Sequence, residues 1–142
     1  MQAFFFRISY ERIFIMKQKI VFFDIDGTLI TEDGNQTLPE STVYAIQELR
    51  RRGHLAFINS GRTLFNVIEQ PYILRIGFDG YVCACGAHIL YRGKHLLTAT
   101  VPSEAHAAVI DAARRYHMEL LLEGPDYFYF DLSIPCLLYT SP

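Results

Sequence analysis

The stretch Lys19–Ile30, KIVFFDIDGTLI, decides the reading. A short continuous apolar run, as in a parallel strand buried on both faces, drives into two aspartates one residue apart, then a glycine and a threonine. In a parallel α/β sheet, ligands bind beyond the carboxyl ends of the strands. Asp24 closes the strand there and Asp26 lies just past it. Two carboxylates this close repel unless a cation shares them or one holds a proton. Mg²⁺ takes carboxylate, carbonyl and water oxygens, and Asp26 could equally carry a proton to a leaving group. Gly27 lets the backbone turn sharply, and Thr28 offers a hydroxyl. A bare Asp-Gly pair is an ordinary turn; the full string of apolar residues followed by DxDGTL is far more specific.

Outward from this stretch, strands and helices alternate. Pro39 to about Arg52 is helical in pattern, with Pro39 in the first turn, Val43, Ile46 and Leu49 on one face, and Gly53 as the stop. His54–Asn59, HLAFIN, is a second buried strand. Thr63–Ile76 reads as a helix broken or bent at Pro71. Gly80–Ala84, GYVCA, is a third strand. This succession predicts right-handed crossovers and a parallel sheet. After Gly86 the pattern changes. HILYRGKHLLTATV reads as a hairpin turning at Arg92-Gly93-Lys94. A helix follows over about Pro102–His117, with Ala105, Val109, Ala112 and Tyr116 on one face. ELLLE and YFYFDLS then flank a Gly124-Pro125-Asp126 turn. Strand, strand, helix, strand, strand is expected to open a separate α+β unit.

A second motif supports the first. The second strand ends in INSGR, Ile58–Arg62, just before a helix. Ser60 and the Gly61 amide are placed to hold an anion at that helix N-terminus, and Arg62 can add charge. The plainer alternative is that Ser60 caps the helix and Arg62 is solvated.

Composition narrows the remaining options. A formal charge of -2 argues against a nucleic-acid surface, and no run approaches a membrane span. Cys83, Cys85 and Cys136 have no framework spacing, so reduced thiols are expected, with Cys83 and Cys85 as buried apolar groups and not half a metal site. His54, His88, His95, His106 and His117 are scattered, and surface or structural roles are expected for them. The aromatic block Tyr127–Phe130 is read as a strand packing on its helix.

With DIDGTL and INSGR in place, the chain resembles the haloacid dehalogenase (HAD) superfamily of phosphohydrolases. LPESTVYAIQELRRRGHLAFINSGR and the α+β insertion after the third strand are similar to the Cof-type (class IIB, C2-capped) members. The likeness runs from about Lys17 to Ser133. It implies a three-layer HAD-type, Rossmann-like α/β core, first half only, over residues 16–86, and a partial α+β cap over 87–135. It implies that Asp24 attacks phosphorus and becomes an aspartyl-phosphate, and that Asp26 serves as general acid and then general base. Mg²⁺ would bind the Asp24 carboxylate and the Asp26 main-chain carbonyl. Ser60 would bind the transferring phosphoryl group, with Gly61, Arg62, Gly27 and Thr28 around it. The implied substrate is a small phosphorylated metabolite of the sugar phosphate, flavin mononucleotide (FMN) or pyridoxal phosphate (PLP) class, with neither nucleic acid nor membrane as partner, and a cytoplasmic location. Where Cof-type proteins show NGA at the entrance to the cap, this chain reads CGA, Cys85–Ala87. The family's third-motif lysine and fourth-motif acidic pair belong after the cap; Asp111, Asp126 and Asp131 are cap residues and do not replace them.

Both ends read differently from the body. Residues 1–15 are expected to be a translated leader or a mis-called start, with Met16 opening MKQKIVFFDIDGTL. Residues 136–142, CLLYTSP, match the translation of TGT-CTC-TTA-TAC-ACA-TCT-CC, which is similar to the end of a transposase-type sequencing adapter. The native sequence is expected to stop near Pro135 and the gene to continue. Two rival readings are a catalytically inactive truncated fragment of such an enzyme and a receiver-like phospho-acceptor domain. The second would want an Asp at the end of the third strand, where this chain has GYVCACGA.

Overall fold

The structure is a computed structural model that describes residues 17–31 and 35–130. The expected leader at 1–15, the expected tail at 136–142, Asp131 and Cys136 lie outside the described residues. The described chain runs β1 (Ile20–Phe23), α1 (Glu40–Arg51), β2 (Leu55–Asn59), α2 (Leu64–Ile68), α3 (Pro71–Ile76) and β3 (Gly80–Cys83). A 3₁₀ turn (Ala84–Gly86), β4 (His88–Tyr91), β5 (Lys94–Thr98), α4 (Ser103–Arg115), β6 (Leu121–Glu123) and β7 (Phe128–Phe130) follow. The fold is α/β and Rossmann-like, built on a mixed five-stranded sheet in the order β1-β2-β3-β4-β5. β1, β2 and β3 are parallel, while β4 and β5 add antiparallel strands beside β3.

The hairpin is therefore part of the main sheet. The sequence reading assigned it to the second unit, with a boundary after Gly86, but the pairing continues across that point: Cys83 lies opposite His88 and Gly80 opposite Tyr91. The short turn at Ala84–Gly86 leaves β4 no room to go elsewhere, and β3 offers it an open edge. Among the described residues, β6 and β7 form a small sheet of their own.

Local chemistry accounts for the elements. Pro39 has extended backbone and sits at the N-cap of α1, one position before the first turn. Pro71 splits the expected 63–76 helix into α2 and α3 and opens α3 at its first position, where a missing N–H costs nothing. Val43 and Ile46 of α1, Val67 of α2 and Ile73 and Ile76 of α3 cluster with Ala56 and Ile58 of β2 to form the core. β2, in the interior of the sheet, is buried from Leu55 to Ile58. β1 is not buried on both faces as expected: it alternates, with Ile20 at 51% and Phe22 at 54% exposure. Among the described residues β1 is the outer strand, so its second face lacks the neighbours that cover β2.

On that second face the aromatic rings cover one another. Phe57 stacks on Tyr91 with centroids 5.6 Å apart and meets Phe22 edge-on at 5.6 Å. Gly80 makes this possible. A Cβ there would lie 2.2 Å from Phe57 Cε1. The α4 expectation fails in one respect: Ala105, Val109, Ala112 and Tyr116 are exposed, and Ala113 is the residue α4 buries. In the Tyr127–Phe130 strand, expected to pack on its helix, the Phe128 ring lies 5.0 Å from that of Phe65 in α2.

Asp79, in the turn before β3, joins four elements. Its carboxylate takes the Arg50 fork from α1 at 3.1 and 3.2 Å and the Ala56 N–H of β2 at 2.9 Å. Its own N–H donates to Ala56 O at 2.8 Å, and its carbonyl accepts from Arg92 N at 3.0 Å. Arg50 also donates to Gly77 O at 2.9 Å. Burial alone would raise the Asp79 pKa. The Arg50 hydrogen bonds, the Ala56 amide and the nearby Arg50 and Arg92 charges outweigh it and hold the carboxyl below its ordinary 3.8.

Two measurements test this packing. Gly80→Ala is expected to cost about 1–3 kcal/mol in urea unfolding through overpacking against Phe57; an unchanged midpoint would show that the ring has space to move. Asp79→Asn is expected to cost about 2–3 kcal/mol at neutral pH by breaking a half-buried charged network. Because the folded-state pKa is the lower one, the Asp79 contribution is complete above pH 4 or so and is lost as pH falls through that folded value. The acid limb of the stability profile should therefore flatten in the variant, and an identical limb would refute the role.

Candidate active site

The site is built on the turn that ends β1. Ile25, Leu29 and Ile30 are buried, at 0%, 1% and 3% exposure, and pin the turn to the core. The N–H groups of Leu29 and Ile30 donate to Ile25 O at 2.9 and 3.2 Å. Gly27 takes the left-handed φ of +69° that the turn requires. With the apolar residues turned inward, Asp24, Asp26, Gly27 and Thr28 are left exposed at the carboxyl end of the sheet. Asp24 Oδ1 accepts the Ile25 N–H at 2.8 Å, which orients the carboxylate against its own turn.

The neighbouring loop comes from β2. Phe23 pairs with Ile58, so the chains carrying Asp24 and Ser60 leave the sheet side by side. Ser60 is 6% exposed. Its N–H donates to Val82 O at 2.9 Å, and its Oγ accepts the Arg62 N–H at 3.2 Å. Arg62 reaches across to Asp26 as a fork, Nε to Oδ2 at 3.1 Å and Nη2 to Oδ1 at 2.6 Å. Its Nη1 lies 3.4 Å from the Tyr72 hydroxyl. The hydrogen bond to Asp26 raises the Arg62 pKa further above an already high value, against partial burial acting the other way. The Arg62 carbonyl accepts the Ala84 N–H at 2.8 Å, which ties this loop to the turn after β3.

Two expectations change here. Ser60 does not sit at a helix N-terminus. The N-cap of α2 is Thr63, without a side-chain capping bond, and α2 runs only from Leu64 to Ile68. A helix this short has little dipole, so the charge offered to an anion comes from Arg62. Of the two cysteines, only Cys83 is buried, its thiol pushed up to about 11 by that burial. Cys85 is exposed, at φ +52°, and its Sγ lies 3.6 Å from where a Gly61 Cβ would be.

The structure thus joins Asp26 to the Arg62 side chain and Ser60 to the Arg62 main chain, with Asp24 on the adjacent strand end and Gly27 and Thr28 on the same turn as Asp26. Sequence reasoning missed Tyr72, ten residues along in α3, and the Ala84 amide, whose contacts depend on how β3 returns to the sheet. It also missed that His88 and His95 meet across the hairpin, Nε2 to Nδ1 at 2.8 Å. Among the described residues no group of three or more His, Cys, Asp or Glu lies together. The donors at the β1 turn are oxygens only: the Asp24 carboxylate and the Asp26 carbonyl, with the Asp26 carboxylate engaged by Arg62. That set suits Mg²⁺, which is held by one or two protein carboxylates together with water and substrate phosphate.

Comparison with known proteins bears on the family and the fold. The family model for haloacid dehalogenase-like hydrolases matches residues 21–133. YkrA of Bacillus subtilis (strain 168), a candidate phosphatase, is 36% identical over 90 residues, covering 63% of this chain and 34% of that protein. A hypothetical protein from Geobacillus kaustophilus HTA426 superposes with a TM-score of 0.70 at 29% identity, over 80% of this chain and 43% of that one. The HAD subclass IIB sugar phosphatase BT4131 superposes with a TM-score of 0.63 at 24% identity, over 78% and 42%. This last likeness bears on the fold alone. The chain spans 34% to 43% of the length of these relatives.

If the Arg62 fork serves ligands and not folding, its loss should be cheap. Asp26 is 52% and Arg62 25% exposed at the side chain, and such pairs contribute at most about 1 kcal/mol. Arg62→Met is expected to shift the urea midpoint by no more than that; a loss of about 3 kcal/mol or more would mark the pair as structural.

Proposed function

The chain belongs to the haloacid dehalogenase-like hydrolase family, and from that premise we propose that it carries the nucleophile half of a phosphomonoester hydrolase acting on a small phosphorylated metabolite. One observation carries the reading: the Arg62 fork on Asp26 holds the β2 loop against the β1 turn, at the strand end where Asp24 stands.

In this reading an Asp24 carboxylate oxygen attacks phosphorus. The ester P–O bond breaks, and the leaving alkoxide takes a proton from Asp26. Water then attacks the aspartyl-phosphate, Asp26 accepts its proton, and the P–O bond to Asp24 breaks to release phosphate. Splitting one hard displacement into two easier ones is the benefit of a carboxylate nucleophile. The Arg62 fork must leave at least one Asp26 oxygen before that oxygen can carry a proton, and the incoming phosphoryl group is the natural alternative partner for the guanidinium. Ser60 and the Gly61 amide complete the cradle, with Gly27 and Thr28 on its other side. The Asp24 carboxylate and the Asp26 carbonyl would hold Mg²⁺, which would offset charge on the phosphoryl oxygens.

Sugar phosphates, FMN and PLP are the substrate classes considered, and the sugar phosphatase BT4131 is a fold neighbour. A cytoplasmic location is part of the same proposal; among the described residues no helix is long and apolar enough to cross a membrane. The strongest alternative is that the chain as given is an inactive fragment.

The test is steady-state hydrolysis of p-nitrophenyl phosphate with Mg²⁺. A longer form carrying the lysine and second acidic pair is expected to turn over within the usual range of about 1–1000 per second, with activity abolished in Asp24→Asn because an amide cannot act as the nucleophile. The 142-residue chain should fall far below that range. Full turnover by this chain, lost in Asp24→Asn, would show that the further motifs are dispensable.

A further inference from the structure

The β4–β5 hairpin brings together two histidines that no metal-binding spacing in the sequence announces. His88 Nε2 and His95 Nδ1 lie 2.8 Å apart, with ring centroids at 5.0 Å and planes tilted by 32°. Side chains alternate along a strand, so His88 shares a face with Leu90, and His95 stands opposite Leu90 on that face. The pairing shifts register between Ile89 and Leu90, and a shift of this kind bends a strand and re-aims its side chains. Both rings are therefore mounted on paired strands and not on a loop, which fixes their separation.

Folding gives the pair little reason to meet. His95 is exposed and His88 half-buried, so a hydrogen bond between them competes with water and contributes little. Burial first, and then the neighbouring His95, hold the His88 pKa below its ordinary 6.5. At neutral pH that keeps His88 as neutral imidazole, the form that ligates metals. The separation points the same way. With metal–imidazole bonds of about 2.0–2.1 Å, two nitrogens stand about 2.8–3.0 Å apart at a right angle and about 3.3–3.4 Å apart at a tetrahedral one. The observed 2.8 Å fits the right angle, which square-planar and tetragonal ions use.

We propose that His88 Nε2 and His95 Nδ1 form a two-point site for a divalent late transition ion of square-planar or tetragonal habit, cupric copper before nickel, with water in the remaining positions. Copper leads because imidazole sites bind it most tightly among the divalent first-row ions. Zinc ranks lower, since its tetrahedral preference asks the rings to spread. Among the described residues no third His, Cys, Asp or Glu completes a cluster with the pair. The proton shared between the rings moves to the far nitrogen of its own ring, His88 Nδ1 or His95 Nε2, so a neutral pair loses no proton on binding. Mg²⁺ prefers oxygen and does not compete here. The site is thus separate from the β1 turn and independent of the phosphatase reading.

The experiment titrates the 142-residue chain with cupric, zinc and magnesium ions, in a Cys85→Ser, Cys136→Ser background so that neither thiol competes. At one equivalent of cupric ion, the electron paramagnetic resonance spectrum should show two coordinated nitrogens. Amide signals should broaden first at His88, Ile89, Leu90 and His95. His88→Gln and His95→Gln should each weaken cupric binding at least about tenfold, because a chelate becomes a single contact, and the double variant should be little weaker than either. The ion-free amide spectrum checks that each variant is folded, and His95→Gln, at an exposed position, carries the test if His88→Gln is not. Excess magnesium should leave the cupric spectrum unchanged. A single coordinated nitrogen, broadening centred on His54, His106 or His117, unchanged affinity in His95→Gln, or zinc bound more tightly than copper would overturn the proposal.

Discussion

The Asp79 carboxylate is the constraint on which the rest of this structure depends. It takes a two-pronged bond from Arg50 of α1, an N–H from β2, and through its own backbone holds Ala56 and Arg92. Helix α1, strand β2 and the β4–β5 turn are thereby joined at one point, at the end of the sheet opposite the aspartates. A half-buried carboxylate with this many donors cannot shift without leaving several of them unpaired, and each loss is costly. The register of β2 against β3 follows from it.

At the other end, the same register puts two loops beside each other that have little else in common. The β1 turn is held from within by Ile25, Leu29 and Ile30, and the β2 loop by Ser60 and by Ala84 behind it. Both loops present charge outward because their apolar residues are spent on the core. The Arg62–Asp26 pair that closes the gap is exposed and worth little to folding. That is what a clasp needs if it is to open for a phosphoryl group. Exposure also marks β1 itself: Ile20 and Phe22 lie open on the outer strand, an arrangement that invites pairing with another strand.

The region of α4, β6 and β7 contrasts with this. α4 has an apolar stripe at helical spacing, yet Val109 and Tyr116 on that stripe stay at 47% and 69% exposure. The stripe is real as a pattern, but burial needs an opposing surface, and the small β6–β7 sheet supplies little of one. Phe128 finds Phe65 of α2 instead. A cavity lined by Thr63, Val109 and Leu122, among others, lies where α4 and β6 face the main sheet.

What the sequence by itself determined is whatever depends on neighbours along the chain. The apolar runs in IVFF, LAFIN and GYVC announce strands, the Val43–Ile46 spacing a helix face, Pro71 a break, and Arg92-Gly93 a turn. DIDGTL and INSGR mark the two strand ends that the fold sets side by side, because a strand followed by a helix returns parallel and exposes its carboxyl end. Only the tertiary structure decided what depends on partners far apart. The hairpin after Gly86 joins β3 because an open strand edge lies next to it, a fact of spatial order that no local pattern contains. Ser60 does not cap α2, because its N–H is held by Val82 and its hydroxyl by the Arg62 N–H. Cys85 is exposed while Cys83 is buried, because the turn between strands rotates one of two similar residues outward. The Arg62 fork finds Asp26, thirty-six residues away, because sheet register and not chain distance sets which side chains meet.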